Sequence, residues 1–157
     1  MNSTEEKILK IFNDNYDKRI CVIGTTCTGK STIINNTGMG VDMDSEIFPL
    51  LTKEETDYVC SDPWTEEIGK MMDELVRSRL SIKKDVPMFG TVLLDCDLIV
   101  YLHITDELLK KRCALREANF INAKNMQEKI VEEINGSGID VITVEVVEDE
   151  KKIGRIR

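Results

Sequence analysis

The chain has 157 residues, 29 acidic and 21 basic, for a net charge of −8. That length suits one domain with its own core, and 41% hydrophobic residues with only 9 Gly and 3 Pro exclude a disordered or fibrous chain. The acidity argues against a general nucleic-acid binder, and the longest apolar run, 98–102, is too short to cross a bilayer.

Ser3 and Glu6 stand at capping-box spacing and open a helix with Ile8, Leu9, Ile11, Phe12 and Tyr16 on its apolar face. Residues 19–23 are apolar and β-branched, which predicts a buried strand ended by Gly24. A glycine-bearing loop follows, then a short helix over 30–36. Gly38-Met39-Gly40 breaks the chain, and 41–44 reads as the end of a second short strand. Thr52 and Glu55 are spaced as another capping box, for a helix to about residue 60. Asp62-Pro63 signals the next helix start, because proline suits the first turn. Trp64, Ile68, Met71, Met72, Leu75, Val76 and Leu80 then recur at helical spacing; for Trp64 the readings are core packing, which is preferred, and a base-stacking residue.

Residues 86–90 read as a third strand and 98–104 as a fourth, the strongest of the set. Thr105 caps a helix from 106 to about 117, and a further helix after Asn119-Phe120 carries Met126, Ile130, Val131 and Ile134. Residues 135–138 read as a turn, 139–147 as a fifth strand, and the charged tail 148–157 as a short edge strand or a frayed end. Strands separated by helices predict a five-stranded parallel sheet with helices on both faces, a three-layer α/β/α domain spanning 1–157. Ligands of such sheets sit at the carboxyl ends of the strands.

The five cysteines, Cys21, Cys27, Cys60, Cys96 and Cys113, include no CxxC pair, and His103 is the one histidine. A zinc site or disulfide framework is not expected, and His103 reads as a structural strand residue. MNSTEEKILK lacks the basic-then-apolar layout of a signal peptide, so the expected setting is cytoplasmic.

The decisive feature is Gly24-Thr25-Thr26-Cys27-Thr28-Gly29-Lys30-Ser31, which fits G-x-x-x-x-G-K-[ST], the Walker A pattern, between a predicted strand and a predicted helix. Gly24 lets the chain leave the strand sharply, and Gly29 lets backbone approach phosphate without a Cβ. The loop amides and the helix dipole converge on phosphate, Lys30 reaches the β and γ phosphates, and Ser31 offers Mg²⁺ a hydroxyl. The expected nucleotide-binding stretch continues to Thr32. Cys27 is expected to be scaffold.

On these residues the chain resembles the small P-loop kinases, the adenylate, shikimate and gluconate kinase group, over residues 19 to about 147. Asp42-Met43-Asp44 looks like the D-x-D of shikimate kinase-like members, which implies Mg²⁺ support from Asp42 and acceptor contact from Asp44. Phe89-Gly90-Thr91 is similar to the family's glycine turn against the acceptor. The segment 106–134 resembles its lid, with Arg112 and Arg116 at L-x-x-R-x-x-x-R spacing. Four residues apart on a helix, both arginines share one face, where a guanidinium fork suits a transferring phosphoryl group. Asp95 is a rival to Asp42 as the metal carboxylate. Only two residues separate it from the strand at 98, too few for a parallel crossover if 91–94 were a strand, so Asp95 is expected in a loop and Asp42 is preferred.

The resemblance implies ATP and Mg²⁺ as cofactors, and a phosphotransferase acting on a small metabolite such as a nucleoside or nucleotide. The glycine-phenylalanine-proline-arginine run of adenylate kinases is absent after the third strand, and Arg77 and Arg79 lie where acceptor-binding arginines are plausible. The alternatives are a non-catalytic or regulatory nucleotide-binding module, a GTPase, disfavoured by the lack of D-x-x-G and N-K-x-D, and a nucleic-acid end kinase, disfavoured by the acidity.

Overall fold

β1 (Ile20–Ile23) is buried at all four positions because it lies in the middle of the sheet. It pairs in parallel with β3 (Met88–Gly90) on one side and with β4 (Leu98–His103) on the other. β2 (Val41–Asp42) continues the sheet beyond β3 and β5 (Asp140–Glu145) beyond β4, so the order is β2-β3-β1-β4-β5, all parallel. The helices are α1 (Ser3–Asp14), α2 (Lys30–Thr37), α3 (Met43–Ile47), α4 (Lys53–Val59), α5 (Glu66–Arg79), α6 (Asp106–Leu115) and α7 (Phe120–Ser137). The computed structural model describes residues 1–148, so the tail expected as an edge strand or frayed end lies outside them beyond Glu148.

The sheet has a core on each face. Ile20, Val22, Val100 and Leu102 join one with Ile8 and Phe12 of α1, Ile33 of α2 and Leu109 of α6. Cys21, Ile23, Ile99 and Tyr101 join the other with Met43 of α3, Val76 of α5 and Ile130 of α7. A strand covered on both faces needs apolar residues at every position, which is why the β4 run shows no alternation. The expected α/β fold with helices on both faces is therefore present. No helix among the described residues is long and apolar enough to cross a membrane.

β3 and β4 flank β1, so the link between them must return along the whole sheet. Residues 91–97 do this as an irregular segment with Val92, Leu94 and Cys96 buried in the second core. The Cys21 thiol donates to the Val92 carbonyl at 3.8 Å. Asp95 lies in this segment, outside any strand, as its spacing requires.

Several boundaries differ from the sequence expectation for local reasons. The first capping box is Asn2 with Glu5, not Ser3 with Glu6. Both frames fit the pattern, but only the first turns Glu5 inward, where its Oε2 accepts from Asn36 Nδ2 at 2.7 Å. Tyr16 falls beyond the helix and is exposed. α5 begins at Glu66 rather than at Pro63, because the Thr65 hydroxyl accepts from the Ile68 amide and caps it there. Residues 135–137 belong to α7, which ends only at Gly138 in a left-handed conformation.

Gly40 joins α2 to β2 with φ +92°, where a Cβ would lie 2.9 Å from the Pro87 carbonyl and 2.6 Å from the Phe89 ring. Gly40→Ala should lower stability by about 1–3 kcal/mol. A urea titration should show a reduced midpoint at unchanged slope.

Candidate functional site

All strands point the same way, so the loops after β1, β2 and β3 meet at one edge. The loop after β1 is shaped by close approaches. A Cβ on Gly24 would lie 3.0 Å from Leu102 Cβ, and the Gly24 amide donates to the Gly90 carbonyl at 3.2 Å. Thr25 is buried, with its hydroxyl donating to the Ala123 carbonyl at 2.6 Å, and Thr28 donates back to the Thr25 carbonyl at 3.0 Å. Cys27 and Gly29 adopt left-handed conformations, φ 67° and 91°. Such turns aim successive amides into a concave, anion-binding nest. Gly29 is also the N-cap of α2 and supplies no side-chain cap. The positive end of that helix therefore faces the nest. Thr26 and Thr32 are exposed at its rim.

Lys30 Nζ turns into the loop, donating to the Gly24 carbonyl at 3.0 Å, the Thr25 carbonyl at 2.7 Å and Thr28 Oγ1 at 3.2 Å. Burial lowers its pKa to about 8, against the opposing pull of Asp42 and Asp44. Asp42 caps α3, with Oδ1 accepting from the Asp44 amide at 2.9 Å. Its Oδ2 accepts from Ser31 Oγ at 3.4 Å. Burial, then the neighbouring Asp42, raises the Asp44 pKa from its ordinary value, while Lys30 opposes the shift. These groups line one pocket of about 200 Å³ together with Gly90, Thr91 and Arg116.

The two arginines play different parts. Arg112 donates from Nη1 to the Thr28 carbonyl at 2.9 Å and from Nη2 to the Val147 carbonyl at 3.2 Å. It thereby fastens the loop to the segment after β5. Arg116 caps α6 and lines the pocket beside Lys30 and Asp44. The segment 106–134 forms α6 and most of α7, whose residues Leu109, Cys113, Ala123, Ile130 and Ile134 are buried. Cys113 of α6 meets Cys27 thiol to thiol, and burial raises its pKa, with Cys27 adding to the shift.

Other candidates lie elsewhere. Asp95 pairs with Arg19 at 3.0 Å, just before β1, at the opposite edge of the sheet. His103 ends β4 with Nδ1 2.8 Å from Glu145 Oε2. Arg77 is bonded to Glu133 at 2.7 Å and Arg79 to Glu55 at 2.6 Å, both away from the pocket. Trp64, expected in the core, is 59% exposed. It packs over Gly69 of α5 instead of extending the helix.

The donors at Ser31 and Asp42 suit Mg²⁺, a hard cation that takes one or two protein oxygens and fills its shell with water and substrate oxygens. Among the described residues no group of three or more His, Cys, Asp or Glu is gathered for a metal. No known protein-family model matches the chain, and no curated protein matches it.

Proposed function

We propose that the chain is a phosphotransferase of the small P-loop kinase kind, moving the γ-phosphoryl group of ATP to a hydroxyl of a small acceptor. One observation carries this reading. A single pocket brings Lys30, Ser31, Asp42, Asp44 and Arg116 to a glycine loop at a helix N-terminus. Phosphoryl transfer asks a protein mainly for positioning and for charge around the moving group, and these residue types supply both.

In this reading the loop amides and Lys30 hold the phosphates, and Ser31 with Asp42 would hold Mg²⁺. When bound, the ion would neutralise charge on the phosphates. Asp44 orients the acceptor hydroxyl and takes its proton. The acceptor oxygen bonds to the γ phosphorus while the bond to the bridging oxygen breaks, and that electron pair leaves with ADP. Arg116 offsets charge on the transferring group. Arg112 is a positioning residue, since it holds the loop through the Thr28 carbonyl. The larger recess of about 260 Å³ between α1, α2 and Arg112 offers the nucleoside part of ATP a place, with Asn2 and Asn36 on its wall.

The test is a coupled ADP-release screen of nucleosides, nucleoside monophosphates, sugars and polyols. At least one acceptor should raise ADP release above the basal rate. ATP binding with no stimulation across the panel would favour a non-catalytic nucleotide-binding module instead.

The shifted Lys30 adds a second measurement. Its pKa of about 8 leaves the free side chain mostly neutral at pH 9. A polyphosphate favours the ammonium form, so binding must raise that pKa. ATP binding should take up close to one proton at pH 9 and little at pH 7. Titration calorimetry at pH 9 in two buffers of different ionisation enthalpy reads this, and equal heats would contradict it.

A further inference from the structure

Past Asp44 the pocket continues into a smaller recess of about 100 Å³, and Asp44 with Thr91 lines both. Met72, Val76, Val92 and Met126 make the recess apolar. One wall is Trp64, the only tryptophan in the chain. A Cβ on Gly69 would lie 2.6 Å from the indole Cη2, so the glycine is what allows the ring to lie against α5. Glycine is a poorer helix former than alanine. A helix that accepts this cost to hold a mostly exposed indole is using the ring for something other than the core.

The charges of the recess are equally informative. Its acidic residues are Asp44 and Asp73, and no lysine or arginine lines it among the described residues. Asp73 is paired with Lys129 at 3.1 Å. The α5 arginines able to serve an acceptor phosphate are committed to Glu133 and Glu55. The cations of the adjoining pocket, Lys30 and Arg116, are those needed by the donor phosphates. A phosphomonoester acceptor would bring negative charge to Asp44 with no guanidinium fork beyond Arg116, which the donor phosphates need, to meet it.

We infer that the acceptor is a phosphate-free alcohol with a single flat ring, of the pyrimidine nucleoside kind, its ring stacked on Trp64 and its hydroxyl at Asp44. This rests on the phosphotransferase reading and narrows it, because nucleoside monophosphates are excluded. Ring stacking on an aromatic side chain tightens binding by about ten- to a hundredfold.

Because Trp64 is unique, its fluorescence reports on this recess alone. With ADP and Mg²⁺ saturating, uridine, cytidine and thymidine should be titrated against their 5′-monophosphates. At least one nucleoside should quench saturably and bind tenfold or more tighter than its monophosphate. Trp64→Leu, at an exposed position, should weaken that nucleoside at least tenfold by calorimetry and leave ADP affinity unchanged. Monophosphates binding as tightly as nucleosides, no quenching by any nucleoside, or unchanged affinity in the variant would each overturn the inference. Phosphorylation of a monophosphate would sink it while leaving the phosphotransferase reading in place. Nucleoside binding without ADP formation would sink the phosphotransferase reading and leave Trp64 in a nucleoside-binding recess.

Discussion

Lys30→Met should lose turnover on the order of a thousandfold while the protein still folds. The size follows from removing one preorganised cation from a site whose proposed chemistry is electrostatic. The folding half follows from where the ammonium sits. Burial holds its pKa near 8, below the ordinary 10.5, so the fold disfavours the charge it encloses. Between pH 8 and 10.5 the unfolded chain binds more protons at this residue than the folded one, so this group makes stability rise with pH across that window. Its contribution is fully present above 10.5 and is lost as pH falls through 8. Urea titrations across pH 7–10 should therefore show wild type gaining on Lys30→Met as pH rises. A flat difference would mean that burial does not lower the Lys30 pKa. A variant with wild-type turnover would remove the phosphotransferase proposal altogether.

The sheet was legible because its signals are local and strong. β1 and β4 read as strands from apolar runs that only a two-faced strand needs, and the loop between β1 and α2 from its glycines. β2 was the weak case. It spans only Val41–Asp42, and Met43 and Asp44 already turn into α3 because Asp42 caps them. Capping at the N-terminus was ambiguous in principle, since Asn2 and Ser3 each have a glutamate three residues on. The choice depended on Asn36, more than thirty residues away in sequence.

The site was legible in part. The spacing arguments that put Asp95 in a loop and preferred Asp42 agree with a structure in which Asp42 meets Ser31 and Asp95 meets Arg19. The helical spacing of Arg112 and Arg116 indicated a shared direction but not the division of labour. Which of them bonds backbone carbonyls depends on how near the end of β5 comes to α6, and spacing does not encode that. Trp64 was read as core in preference to base stacking because hydrophobic periodicity treats a tryptophan as core. The signal that separates it is Gly69, five residues on, a glycine inside an otherwise continuous helical pattern. Arg77 and Arg79 were candidates for an acceptor contact, and their glutamate partners come from α7 and α4, which no local pattern reveals.

Asp44→Asn should cut turnover by about 10²–10⁴, the range for loss of a general base, without weakening ATP. The nucleotide should bind as well or better, because the substitution removes a negative charge from the pocket that holds Lys30. The wild-type rate should fall as pH drops through the raised pKa of Asp44, since the carboxylate must be ionised to accept the proton. That acid limb should lie higher than for an unshifted aspartate and vanish from the residual activity of the variant. Stability separates this role from a structural one. A carboxyl whose folded pKa exceeds its unfolded value contributes stability below about pH 4 and loses it as pH rises through the folded pKa. At neutral pH the ionised Asp44 is therefore a burden on the fold, and asparagine, which carries no charge, should leave the melting temperature equal or higher. A variant that lost stability together with activity would make Asp44 a structural residue, and the proton would need another acceptor in the pocket.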